Sequence, residues 1–332
     1  MRFIDMFAGI GGFHLGMEQA GHTCVGWIEW DKFARQSYQA IHDVEGIWNA
    51  SDIRTVRASE LPRADCWCFG FPCQDISVAG KQKGFTAGKR SSLFFTVTGL
   101  IRDLEEEDRP SYLLVENVKN LLSINRGFDF LKLQIELDEI GYDVEWDVID
   151  SAEVVPQHRK RIFIVGRLRG RSTKKVFPII SKGGKTNTPI KQVGNLTPGG
   201  SFGGNPQVGR VYGIDGIAPT LSTMQGGGQE PKVVIPVSSP DVLNKNQNGR
   251  RFKNNGDPEF TLTARDRHGI LTNNMKIRKL TPRECWRLQG FPDWAFTRAR
   301  EAGLSDSQLY KQAGNSVTVP VIKAIAERME LP

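Results

Sequence analysis

The chain has 332 residues, 39% of them hydrophobic and 24% charged, with a formal net charge of +7 and five cysteines. This length exceeds what one ordinary domain needs. No stretch approaches 18 consecutive apolar residues, and the amino terminus enters a strand-like segment with no charged-then-apolar leader, so a membrane span and a secretory signal are not expected and the chain reads as cytoplasmic.

In chain order, residues 3–8 read as a buried strand, 9–12 as a turn and 13–20 as a helix. Residues 23–28 form a second strand ending at Glu29, and 32–41 a second helix. This βαβ series implies a mostly parallel sheet. Further strands are expected at 66–70, 112–115, 144–149 and 162–165, with a helix near 128–140. Such sheets bind ligands beyond the carboxyl ends of their strands. The glycine turn, Glu29, residues 71–74 and Glu116 are all expected to follow strands on that edge. Gly9-Ile10-Gly11-Gly12 lacks the spacing of a pyrophosphate fingerprint and alone says only that the ligand is nucleotide-like. An acidic residue 20 positions after Gly9, at the end of the second strand, suits a ribose diol.

The charge is unevenly placed. Residues 167–279 carry 19 Lys and Arg against 6 Asp and Glu, a balance of +13, while the rest of the chain has 25 against 31. The same segment holds 17 of the 35 glycines. It reads as a second domain inserted in the first, with boundaries at 1–168, 169–277 and 278–332. A solvated basic surface with long loops is the bland interpretation. A face that tracks phosphates is the sharper one, because Lys and Arg supply the sequence-independent part of DNA affinity. Within it Arg210-Val-Tyr leads to Thr220-Leu-Ser-Thr, and 41 residues later Arg251-Phe-Lys leads to Thr261-Leu-Thr-Ala. This weak repeat suggests paired β-hairpin elements. Farther on, Thr281, Pro282 and Glu284 read as N-cap, N1 and N3 of a capped helix, and 318–329 as a final helix that rejoins the first domain.

Phe71-Pro72-Cys73-Gln74 follows an apolar run and places one cysteine where a nucleophile would sit. Alone this is a weak signal, since cysteines are more often inert and buried. Cys24, Cys66, Cys68, Cys73 and Cys285 are an odd number at spacings that suit neither a disulfide framework nor a zinc site, and no metal is expected. Cys66 and Cys68 alternate along a strand and read as core. The company of Cys73 changes the reading: Phe7-Ala-Gly-Ile-Gly-Gly12 upstream, then Glu116-Asn117-Val118, Gln157-His-Arg159-Lys-Arg161 and Gly314-Asn315-Ser316-Val317 in that order. Together these resemble the ordered motif set of the cytosine-5 DNA methyltransferases, of the small prokaryotic or phage restriction-modification type. The match spans residues 2–166 and 277–322.

The resemblance implies an α/β fold: a Rossmann-like S-adenosyl-L-methionine-dependent methyltransferase domain with an inserted, irregular β-rich target-recognition domain. Phe7 and Trp30 would pack on the adenine, with Glu29 on the ribose hydroxyls and Asp52 and Ile53 at the adenine edge. Gly9, Ile10, Gly11, Gly12 and Pro72 would line the same pocket, closed by Asn315, Ser316 and Val317. Cys73 would add to position 6 of cytosine, because position 5 is a poor nucleophile until the ring becomes an enamine. Glu116 would meet the charge arriving at N3, for which its pKa must rise well above about 4.3. Arg161 would hold the ring carbonyl oxygen, and Arg159 would brace the cysteine and a phosphate. Such chemistry requires the nucleotide to be flipped out of double-stranded DNA, and residues 75–92 would be the lid that closes on it. Lys81, Gln82, Gln207, Arg210, Thr220 and Gln225 are the implied DNA contacts, with Gln207 entering the gap, Arg210 reading a base and Thr220 gripping a phosphate.

The protein is expected to act as a monomer on DNA, and whether a cognate restriction endonuclease acts on the same site, unbound to it, stays open. Two alternatives stay open. A transfer-RNA cytosine methyltransferase of the same fold would share every catalytic motif, and a non-catalytic DNA-binding regulator would share the fold.

Overall fold

The computed structural model describes residues 1–71, 92–179, 192–195, 210–212, 219–221, 232–236 and 275–331. Seven strands make the main sheet: β1 (Arg2–Met6), β2 (Thr23–Ile28), β3 (Trp48–Ala50), β4 (Cys66–Phe69), β5 (Tyr112–Val118), β6 (Tyr142–Asp150) and β7 (Lys160–Leu168). Their order is β3-β2-β1-β4-β5-β7-β6. The first five run parallel, while β7 pairs antiparallel with both β5 and β6.

Both faces of this sheet are covered, which is why its central strands are continuous apolar runs. Alternate residues go to opposite faces. Ile4, Met6, Trp67, Phe69, Leu113 and Val115 enter one buried cluster, and Phe3, Cys66, Cys68, Tyr112 and Leu114 the other. Cys66 and Cys68 are core, as their spacing suggests.

The strand expected over 3–8 stops at Met6, because Phe7 turns into the left-handed region with φ 55°. The strands expected at 112–115, 144–149 and 162–165 are all longer, since β6 and β7 form a long antiparallel ribbon whose partner extends β5 to Val118. Glu116 therefore lies inside a strand, not after one. Three residues are too few to show a period, and β3 carried no signal in the sequence.

Helices α1 (Gly12–Gln19), α2 (Lys32–Ile41), α3 (Ser92–Arg102) and α4 (Phe128–Glu139) belong to the first part of the chain. The return segment supplies α5 (Pro282–Leu288), α6 (Asp293–Glu301), α7 (Asp306–Asn315) and α8 (Val319–Ala326). The expected capping box opens α5: Thr281 Oγ1 accepts from the Glu284 amide and Glu284 Oε2 from the Thr281 amide. Helix α8, shorter than expected, packs on α1 so closely that a Cβ on Gly16 would lie 2.6 Å from Ile322 Cβ. Among the described residues no helix is long and apolar enough to cross a membrane.

The chain stays on the main sheet beyond Leu168. Val176 is buried, and Glu145 accepts its amide at 2.8 Å. Within the basic segment, four described strands form a second sheet: β8 (Gln192–Asn195), β9 (Arg210–Tyr212), β10 (Lys232–Pro236) and β11 (Met275–Lys279). Its order is β11-β10-β9-β8, with β9 antiparallel to β8 and parallel to β10. The first copy of the weak repeat is thus β9, and the second, 251–264, lies outside the described residues.

Candidate active site

The carboxyl ends of the parallel strands gather the expected residues. After β1 the backbone turns through Phe7, Gly9 at φ 58° and Gly11 at φ 82°. After β2 comes Glu29, whose two carboxylate oxygens accept the amides of Gly9 and Asp31, each at 2.7 Å. One side chain thereby ties the turn to the next strand end. Burial raises the Glu29 pKa above the usual carboxylate range, opposed by these two hydrogen bonds. Trp30 stands 69% exposed, with the Arg54 guanidinium 5.0 Å over its ring. Arg54 is in turn ion-paired with Asp52 at 2.6 Å. Ile53 is buried in the core, so of that pair only Asp52 presents its side chain.

The turn is backed by polar groups that sequence reasoning missed. His42 Nε2 bonds the Ile10 carbonyl at 3.0 Å, and its ring stacks on His14 at 4.0 Å. His14 Nδ1 meets the Tyr38 hydroxyl at 2.6 Å, and that hydroxyl donates to Asp5 at 3.4 Å. Burial pushes the Asp5 carboxyl up and holds the His42 imidazole well below its ordinary pKa. Both shifts favour neutral forms. The only sequence signal was Asp5 itself, polar in the middle of an apolar strand. The space is tight: a Cβ on Gly11 would lie 1.9 Å from His42 Nε2, and one on Gly12 2.7 Å from Ser316 Oγ and from Val317 Cγ2. Ser316 and Val317 are buried against the turn, while Asn315 is exposed.

Beside the turn, β4 leads to Gly70 and Phe71. A Cβ on Gly70 would lie 3.3 Å from Glu116 Oε2, so Glu116 reaches over the backbone three residues before Cys73. Arg161 Nε lies 3.1 Å from Glu116 Oε1. Asn117, buried, donates through Nδ2 to the Phe71 carbonyl at 3.4 Å, a positioning contact its place in the motif did not reveal. Pro72, Cys73, Lys81, Gln82, Gln207 and Gln225, and the expected lid up to 91, lie outside the described residues.

Arg159 is 3% exposed. Its two Nη atoms donate to three main-chain carbonyls: Leu221 at 3.4 Å, Gly314 at 3.2 Å and Ser316 at 2.8 Å. Burial lowers its pKa to about 9, with the Arg161 charge adding to the effect, and it stays charged at neutral pH. Its neighbours hold the same strip of chain: Gln157 Nε2 donates to the Pro219 carbonyl at 3.2 Å, and Thr220 Oγ1 donates to the His158 carbonyl. Arg210 opens β9, half-buried.

The chain matches the C-5 cytosine-specific DNA methylase family over residues 1–331. It belongs to that family. The orphan methyltransferase M.SPBetaI of Bacillus phage SPbeta is 31% identical, with 99% of this chain and 97% of the phage protein covered. The type II methyltransferase M.HhaI of Haemophilus parahaemolyticus is 33% identical, covering 98% and 93%. Among solved structures, the S. pombe Dnmt2 methyltransferase superposes with a TM-score of 0.66 over 98% of this chain and 96% of that one, at 18% identity, which speaks for the fold alone. The methylase is thus an enzyme that methylates cytosine at carbon 5, on the α/β fold its sequence implied. The family implies S-adenosylmethionine as methyl donor and DNA as substrate.

Proposed function

We propose that the methylase modifies a flipped-out cytosine in a specific short duplex sequence, through a covalent adduct to Cys73. The observation that carries this reading is the placement of Glu116: on Gly70, three residues before Cys73, with Arg161 at its carboxylate. The Cys73 thiolate adds to carbon 6, and the electron pair displaced toward N3 is met by the Glu116 proton. Arg161 holds the ring oxygen. S-adenosylmethionine, when bound, would supply an electrophilic methyl group for the enamine carbon 5 and leave as S-adenosylhomocysteine. Loss of the carbon-5 proton to water, return of the N3 proton to the Glu116 carboxylate and expulsion of the Cys73 thiolate then restore the aromatic ring.

The donor-site residues fit a nucleoside. Glu29 presents carboxylate oxygens beside the positive-φ turn, Trp30 an exposed ring face, and the turn has no room for side chains at Gly11 and Gly12. Phe7, Gly9, Ile10, Asp52, Ile53 and Pro72 complete this pocket, and Asn315, Ser316 and Val317 close it. The target-recognition segment, residues 169–277, supplies Gln207, Arg210, Thr220 and Gln225, while Lys81 and Gln82 come from the lid. The enzyme acts in the cytoplasm as a monomer on DNA.

Bisulfite sequencing of DNA from cells that express the protein is the primary test, with methyl transfer to duplex DNA and to transfer RNA compared in vitro. Methylation at one short duplex motif is expected. Transfer to transfer RNA alone would overturn the DNA reading, and no transfer to either would favour a regulator.

A further inference from the structure

Three residues of the basic segment are built into the catalytic half. Leu221 is 2% exposed and joins a buried cluster with Ile10 of the glycine turn, Leu15 of α1 and Trp286 of α5. Its carbonyl is held by Arg159, the Pro219 carbonyl by Gln157, and Thr220 by the His158 carbonyl. The Arg159 guanidinium that grips Leu221 also grips Gly314 and Ser316, and Ser316 lies against Gly12. One planar, rigid fork therefore bonds both the strip that follows β9 and the strip that closes the glycine turn. A movement of either strip changes the bonds available to the other.

We propose that Arg159 is a positioning residue that couples the two ligand sites: occupancy of the methyl-donor pocket sets residues 219–221, and through them β9, for DNA, and DNA in turn tightens the donor pocket. The inference rests on the donor and DNA sites proposed above. Coupling of this kind is reciprocal, each ligand changing the affinity of the other by the same factor, typically about 5–150-fold. Lysine in place of Arg159 keeps the charge but gathers its donors on one nitrogen, and so cannot span the two strips that the separate Nη atoms hold.

The test measures S-adenosylhomocysteine affinity by calorimetry, alone and with saturating duplex that carries the site found by bisulfite sequencing. In the wild type the duplex is expected to tighten binding at least about tenfold. In Arg159→Lys the factor should fall below about threefold, read as the ratio of donor affinities with and without duplex for the same variant, so that any loss common to both conditions cancels. Thr220→Val, which removes the hydroxyl bond to the His158 carbonyl together with the proposed phosphate contact, should lower the factor in the same direction at saturating duplex. A factor retained in both variants overturns the proposal, and one retained in Thr220→Val does so even where Arg159→Lys fails to fold. Wild type that binds both ligands with a factor of one overturns this inference alone. Wild type that binds no S-adenosylhomocysteine overturns the donor-site reading and the coupling with it.

Discussion

Glu116 and Arg161 meet across antiparallel strands, Arg161 Nε to Glu116 Oε1 at 3.1 Å, with Arg161 in register opposite Val118. The pair is diagonal on one sheet face, and both side chains are mostly buried, at 14% and 17% exposure. Glu116→Gln keeps the shape and removes the proton. Single-turnover methylation should slow by about 10²–10⁴-fold, the span ordinarily supplied by a general acid, with donor affinity near wild type. An unchanged single-turnover rate would remove Glu116 as the acid.

Cys73 follows Phe71, whose carbonyl Asn117 holds, by two residues. Cys73→Ala should abolish methylation while donor and DNA binding persist. The wild type should also form a denaturation-resistant adduct with duplex containing 5-fluorocytosine, because fluorine cannot leave as a proton does. A methylating enzyme that forms no such adduct would falsify the covalent route.

A Glu29 that holds the donor would link donor binding to pH. Burial raises its pKa, so the carboxylate that accepts the Gly9 amide protonates at a higher pH than an ordinary glutamate near 4.3. Donor affinity should be full above that raised value and fall as pH drops through it. Glu29→Gln should flatten this profile and weaken binding by about 1–3 kcal/mol, the range for a hydrogen bond to a charged group. Titration calorimetry at several pH values checks both, and a parallel pH dependence in the variant would exclude Glu29.

Gly9 and Gly11 both have positive φ but differ in surroundings: nothing lies within 4 Å of a Cβ at Gly9, whereas one at Gly11 meets His42 at 1.9 Å. Gly9→Ala should cost about 1–2 kcal/mol for the left-handed backbone. Gly11→Ala adds overpacking of about 1–3 kcal/mol. Urea unfolding that ranks the two variants the other way would show that the His42 packing is not rigid.

Arg210 opens β9, one strand of the second sheet. If it reads a base edge, Arg210→Ala should cost about 1–3 kcal/mol on the cognate site and relax discrimination at one position. Binding to a panel of single-base variants at two salt concentrations decides this. Uniform loss with a salt slope shallower by about one unit would make it a phosphate contact.

The glycine turn and the acid beside it were legible because a strand, a glycine turn and an acid 20 residues on are close in sequence and set by local geometry. Glu29 meets Gly9 for that reason. Glu116 was placed after its strand because a parallel sheet leads one to expect it there. Its true position depends on β7, an antiparallel partner more than 40 residues downstream. Arg159 was legible as a residue and illegible as a contact. Its acceptors are carbonyls of Leu221, Gly314 and Ser316, and a main-chain carbonyl has no signature in side-chain order. The His14–His42 stack was hidden likewise, since it joins two helices that meet only in the fold.

The contact between Gly16 and Ile322 sets a schedule for the newborn chain. Helix α1 leaves the ribosome well before its cover, and the side chain that covers its glycine follows roughly 300 residues later. At about 5–20 residues per second, α1 waits on the order of 15–60 s for its cover. Throughout that interval the glycine turn lacks the cover that Ser316 and Val317 give it in the folded protein, and apolar surface left open in this way is what makes incomplete chains prone to aggregate.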